Sequence, residues 1–176
     1  MAITGTKTES TTGNRNWFIN ECVIKEAEQI ESAYNDCSIR LKLEDKNNGY
    51  NYTAFINQNF EKDTNGVVTG LLFPEDLNTL FLASGKDMNV SDIGEVNTDV
   101  LIDSEVACIN YASTGKYKRS TWGVLSSLSN KDQLEAKFKS QLEKGYPKNY
   151  KSQQESDIEE QFGGTATNVA ADDLPF

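Results

Sequence analysis

The stretch Cys37-Ser38-Ile39-Arg40-Leu41-Lys42-Leu43-Glu44 alternates apolar and polar residues without a break, and Asn47-Asn48-Gly49 follows it before an aromatic-rich segment over residues 50–60. Successive side chains of a strand point to opposite faces. Cys37, Ile39, Leu41 and Leu43 therefore form a buried face, and Ser38, Arg40, Lys42 and Glu44 an outer face that reads as basic. Asn and Gly accept the positive φ of tight turns, so the two stretches are predicted as a hairpin whose return strand carries Tyr50, Tyr52, Phe55 and Phe60. Upstream, residues 17–30 place Phe18, Cys22 and Ile24 on one parity and Trp17, Ile19 and Val23 on the other, the mark of a long strand with a bulge or bend.

Residues 67–73 form a short apolar run, and Pro74-Glu75-Asp76 opens a short helix that Gly85 stops. Residues 100–112 and 116–125 read as two further strands joined by Ser113-Thr114-Gly115. Leu134, Phe138 and Leu142 recur at helical spacing over residues 131–144, before Gly145 and Pro147. Five or six strands with one short helix between the third and fourth long ones predict a mainly β chain, a five-stranded Greek-key OB barrel with a late C-terminal helix and a disordered acidic tail. A β-sandwich is the competing architecture. The organisation expected is a flexible arm over 1–16, the OB domain over 17–127, a helical extension over 128–150, a disordered linker over 151–171 and a tip over 172–176.

At 176 residues, with 37% hydrophobic and 25% charged, the chain has room for one cored domain plus polar appendages. No apolar run reaches membrane-spanning length and the first residues are polar, so a cytoplasmic protein is expected, in the host cytoplasm if phage-encoded. Cys22, Cys37 and Cys108 are widely spaced and read as buried free thiols rather than as a disulfide or metal site. With no histidine in the chain, Ser-His and Cys-His nucleophilic chemistry is excluded and a zinc site has no familiar ligand set. No cofactor and no metal are expected.

The net charge of -10 opposes phosphate binding until its distribution is followed. Residues 1–115 hold 8 basic and 18 acidic groups, residues 116–151 hold 9 and 3, and residues 152–176 hold 0 and 6. One basic island therefore lies between acidic ends. It begins Lys116-Tyr117-Lys118-Arg119 and continues to Trp122, interleaving cations that follow a phosphate backbone with rings on which bases stack. Arg40 and Lys42, with Tyr50 and Tyr52, extend the candidate surface across the second and third strands, the usual binding face of an OB fold. Along one strand Tyr117 and Arg119 share a face while Lys118 and Trp122 share the other, so only one pair reaches a ligand unless a bulge intervenes. Quenching of Trp17 or Trp122 would report stacking. The lysines of residues 131–151 read equally well as the solvated face of the late helix.

The final residues, Asp172-Asp173-Leu174-Pro175-Phe176, resemble the tip of bacterial and phage single-stranded DNA-binding proteins, which end in acids followed by Ile or Leu, Pro and Phe. The resemblance covers the tip and the order of parts rather than the whole chain, and the long insertion between Asp87 and Asp99 and the late helix suggest a phage or divergent member. It implies a protein that binds and protects single-stranded DNA in replication, recombination or repair, and that recruits partners when Asp172, Asp173, Leu174, Pro175 and Phe176 dock on them. A rival reading is a β-sandwich structural or adaptor protein of a virion or scaffold. A metal-dependent nuclease built on Asp99, Asp103 and Glu105 is the weaker rival, since no nucleophile or general base accompanies those acids, and the chain is expected not to be an enzyme.

Overall fold

A computed structural model describes residues 16–116 and 118–152. The arm expected over residues 1–15, Tyr117, the linker from residue 153 onward and the tip Asp172–Phe176 lie outside the described residues. The strands are β1 (Trp17–Ile30), β2 (Cys37–Asp45), β3 (Asn51–Lys62), β4 (Val68–Leu72), β5 (Glu105–Ala112) and β6 (Arg119–Thr121), with helices α1 (Glu75–Ser84) and α2 (Lys131–Glu143). They form one antiparallel six-stranded sheet in the order β4-β3-β2-β1-β5-β6. A sandwich needs two sheets; the described residues form one.

The predicted hairpin of β2 and β3 forms with Leu43 opposite Tyr52 and Leu41 opposite Ala54. Its turn is held by Asp45, whose carboxylate accepts the backbone N–H of Asn47 at 2.7 Å, while Gly49 takes φ 76°. The bend expected in β1 is a register shift between Ile24 and Glu26, which lets one strand pair with β5 along its first half and with β2 along its second. Helix α1 begins after Pro74 and ends at Gly85, whose φ of 68° suits a residue without a Cβ. Buried Gln58 of β3 ties helix to sheet: its amide donates to the Leu72 carbonyl at 2.7 Å and its oxygen accepts the Leu77 N–H at 3.3 Å. Gln29 of β1 similarly pins the 87–99 insertion through Gly94 and Val96.

Two cores result. Inside the curl of the sheet, Cys22, Ile24, Ile39, Leu41, Leu43, Val106 and Cys108 pack with Leu77, Leu80 and Phe81 of α1. On the outer side of β1 and β5, Trp17, Ala107, Ile109 and Tyr111 pack under Leu134 and Phe138 of α2. All three cysteines are buried free thiols. Burial, reinforced by Asp36, pushes the Cys37 thiol up to about 11, and the Cys108 thiol is raised by its contact with Cys22 and by burial. Cys37 and Cys108 are therefore protonated hydrophobes at neutral pH.

The mainly β chain expected from the sequence is found, but as an open six-stranded sheet and not as a five-stranded barrel. The sheet has six strands because β4 folds back on the second half of β3, pairing Phe60 with Leu71 and Glu61 with Gly70. It stays open because no ladder joins the first half of β3 to β6. The β3 edge comes closest to the chain just after β6, where a Cβ placed on Gly123 would lie 2.8 Å from the Phe55 carbonyl oxygen. Gly123→Ala must therefore push backbone apart, and is expected to lower stability by about 1–3 kcal/mol, the usual cost of overpacking, read as a fall in the urea midpoint.

Candidate nucleic-acid interface

At the end of the sheet away from the 87–99 insertion, the inner face turns polar. Thr121 donates to Asn110 at 2.6 Å, Asn110 to Asn20 at 2.7 Å, and Asn20 to Asp45 at 2.8 Å, a relay crossing β6, β5, β1 and β2. Beside it the unladdered edges of β3 and β6 flank a cleft of ≈ 680 Å³, lined by Asn51, Tyr52, Phe55, Asn110, Arg119 and Thr121 among others. Arg119 stands at its rim with its guanidinium 5.4 Å from the centre of the Phe18 ring, a cation–π geometry. Phe18 is 38% exposed, Phe55 49% and Tyr50 65%.

The sequence-predicted residues divide. Lys118 and Arg119 are exposed and lead from the β5–β6 loop into β6. Lys116 is exposed in that loop, and Tyr117 lies outside the described residues. The segment after α2 joins them: Ser113 bridges to Tyr150, the Thr114 N–H donates to the Asn149 carbonyl, and the Lys151 N–H to the Ala112 carbonyl. Lys148 and Lys151 are thereby brought beside the loop that carries Lys116 and Lys118, a juxtaposition hidden in a reading of these lysines as a helix face.

Other expectations need correction. Trp122 is half-buried and packs edge-on against Phe138, with 5.0 Å between ring centres, at the border of the outer core. Trp17 is buried in the same cluster, so its indole is not placed to stack on a base. Tyr52 does not share a face with Arg40 and Lys42, because it sits opposite inward-facing Leu43. Its hydroxyl is raised by burial and then by Asp45. Arg40 and Lys42 do face outward, but opposite Glu28 and Glu26 of β1, with which they form ion pairs. The outer face of β2 is thus a charge ladder rather than a basic strip. Exposed pairs of this kind are worth about 0–1 kcal/mol and exchange partners readily.

Of the acids weighed for metal chemistry, Glu105 is paired with Lys46 at 2.9 Å. Among the described residues no group of three His, Cys, Asp or Glu side chains is placed to hold a metal ion, and no helix is long and apolar enough to cross a membrane. Family models, curated proteins and solved structures were all compared with this chain, and none matches.

Proposed function

We propose that the chain binds single-stranded DNA without strong sequence preference, protecting it during replication, recombination or repair, and that residues 172–176 recruit partner proteins. In this reading β1, β2, β3, β5 and β6 are the five strands of a partly open OB arrangement, with β4 an added hairpin strand and α1 in the usual place between the third and fourth strands. The pairing of β1 with both β2 and β5 supports it, as does the approach of β3 to β6 at Phe55 and Gly123. OB folds bind oligonucleotides across strands two and three and through the loop between the last two strands.

The observation that carries the reading is the gathering of Lys116, Lys118, Arg119, Lys148 and Lys151 around that last loop, beside a cleft lined by exposed Phe55 and by Arg119, which packs over exposed Phe18. Cations there follow phosphates while exposed rings accept bases. Fluorescence anisotropy of labelled oligo-dT is the direct test. Binding should weaken with salt, log K falling by about 0.7 per decade of salt for each phosphate contacted. Salt-insensitive or absent binding would leave the adaptor reading in possession.

The acidic segment Asp172-Asp173-Leu174-Pro175-Phe176 supports recruitment through its chemistry: a ring for an apolar pocket, a proline that lowers ordering entropy, and carboxylates for a basic rim. The same acids are complementary to the basic loop of their own chain and compete there with DNA. Deleting residues 172–176 is expected to keep or strengthen oligo-dT binding while abolishing partner capture. Weaker DNA binding after the deletion would defeat the competition.

A further inference from the structure

The cleft between β3 and β6 is a wedge, and its shape restricts what can enter. The bond from the Asp45 N–H to the Tyr50 carbonyl fixes which β3 residues turn their backbone groups toward β2, leaving those of Asn51, Thr53 and Phe55 directed away from it. The bonds from Trp122 to Ile109 and from Ser113 to Lys118 do the same for β6, leaving those of Arg119 and Thr121 directed away from β5. The two edges run in the same direction from an open end at Asn51 and Arg119 to a closed end where the Phe55 carbonyl meets Gly123.

Unladdered strand edges ordinarily invite a peptide strand. Here the closed end forbids one, since an inserted strand needs about 4.8 Å to each neighbour along its whole length, and Gly123 leaves no room beside Phe55 for even a Cβ. A short, flat group entering from the open end meets no such barrier. It finds the aromatic side chains of Tyr52 and Phe55, free backbone edges, and the Asn110–Thr121 pair at the floor. Arg119 at the entrance supplies a cation for the phosphate that such a group would carry.

We propose that this wedge takes one nucleobase of the bound strand, stacked on the inward-facing Tyr52 ring with its edge toward Asn110 and Thr121, while the flanking phosphate rests on Arg119 at the entrance. The inference rests on the nucleic-acid reading above and adds the subsite. It predicts that one nucleotide is held differently from its neighbours, which lie on the open surface.

The test uses the full chain and oligo-dT carrying a single 4-thiothymidine, irradiated in the near ultraviolet and mapped by mass spectrometry. Cross-links are expected on the peptide spanning residues 47–62, at Tyr52 or Phe55. Asn51→Trp, which lays an indole across the exposed open end, should abolish that cross-link and weaken oligo-dT binding about tenfold, the worth of one stacked base. Binding with cross-links confined to other peptides, or undiminished in Asn51→Trp, overturns the wedge and leaves the nucleic-acid reading standing. No binding of oligo-dT at all defeats both. Thymidine monophosphate competing as well as the oligonucleotide would give the wedge to a free nucleotide instead. Slow hydrogen exchange at Thr53 and Thr121 before any oligonucleotide is added would mark a strand already inserted there, and would also overturn the proposal.

Discussion

Phe138→Ala is expected to destabilise the protein by about 3–5 kcal/mol, the range for emptying an aromatic site in a packed core. Phe138 is 0% exposed. Its ring lies 5.2 Å from Trp17, 5.9 Å from Tyr111, 5.0 Å from Trp122 and 6.3 Å from Tyr150. These neighbours come from β1, β5, the segment after β6 and the segment after α2. The cavity cannot collapse cheaply, because the flanking rings are themselves held by separate segments of the chain. Leu134 is the only other fully buried side chain of α2, so the helix would lose most of its hold on the sheet. A urea titration should show a lower midpoint, and the near-ultraviolet circular dichroism of the aromatic cluster should weaken. Ser140→Ala, on the exposed side of the same helix, should stay within about 0.5 kcal/mol. An equal loss from both would mean that the helix, and not its buried ring, carries the stability.

Why Trp122 could be read as a DNA-stacking ring while serving this cluster shows where sequence periodicity stops. Parity correctly separates Trp122 from Arg119 and places them on opposite faces of the sheet, but it does not say what covers either face. The signal for a second layer was present in β5, where Val106, Ala107, Cys108, Ile109, Asn110 and Tyr111 are all buried. A run without alternation means that both faces are covered, and an amphipathic helix at residues 131–143 was available to cover one of them. The hairpin of β2 and β3, the bend in β1, the stop at Gly85 and the late helix were legible because each rests on local chemistry. The ion pairs of Arg40 and Lys42 depend on the register between β1 and β2, a non-local fact. Glu26 and Glu28 nevertheless carry the same two-residue spacing as Arg40 and Lys42, a hint that the strip would be neutralised. The approach of the two open edges was illegible for a similar reason: it turns on where Gly123 meets Phe55, and nothing near either residue announces the other.

That neutralisation sets up the second large effect. Lys118→Glu with Arg119→Glu is expected to weaken oligo-dT binding by about 100-fold or more, because two charge-assisted contacts at about 1.5 kcal/mol each exceed two factors of ten, before any repulsion is added. The salt dependence should flatten as well, by about 1.4 in log–log slope for the two phosphate contacts removed. Neither residue has a carboxylate within ion-pair distance among the described residues, and Arg119 packs over the exposed Phe18 ring, so the fold loses little when they change. Arg40→Gln with Lys42→Gln is the matched comparison. Those side chains already face Glu28 and Glu26, so their charge is largely spent within the protein and affinity should change by less than about fivefold. A strand that followed the outer face of β2 would reverse this order, since it would have to displace both glutamates and would depend most on the cations they hold. The ranking of the two double variants therefore locates the path of the DNA: along the β5–β6 loop and into the wedge if the first pair dominates, across β1 and β2 if the second does.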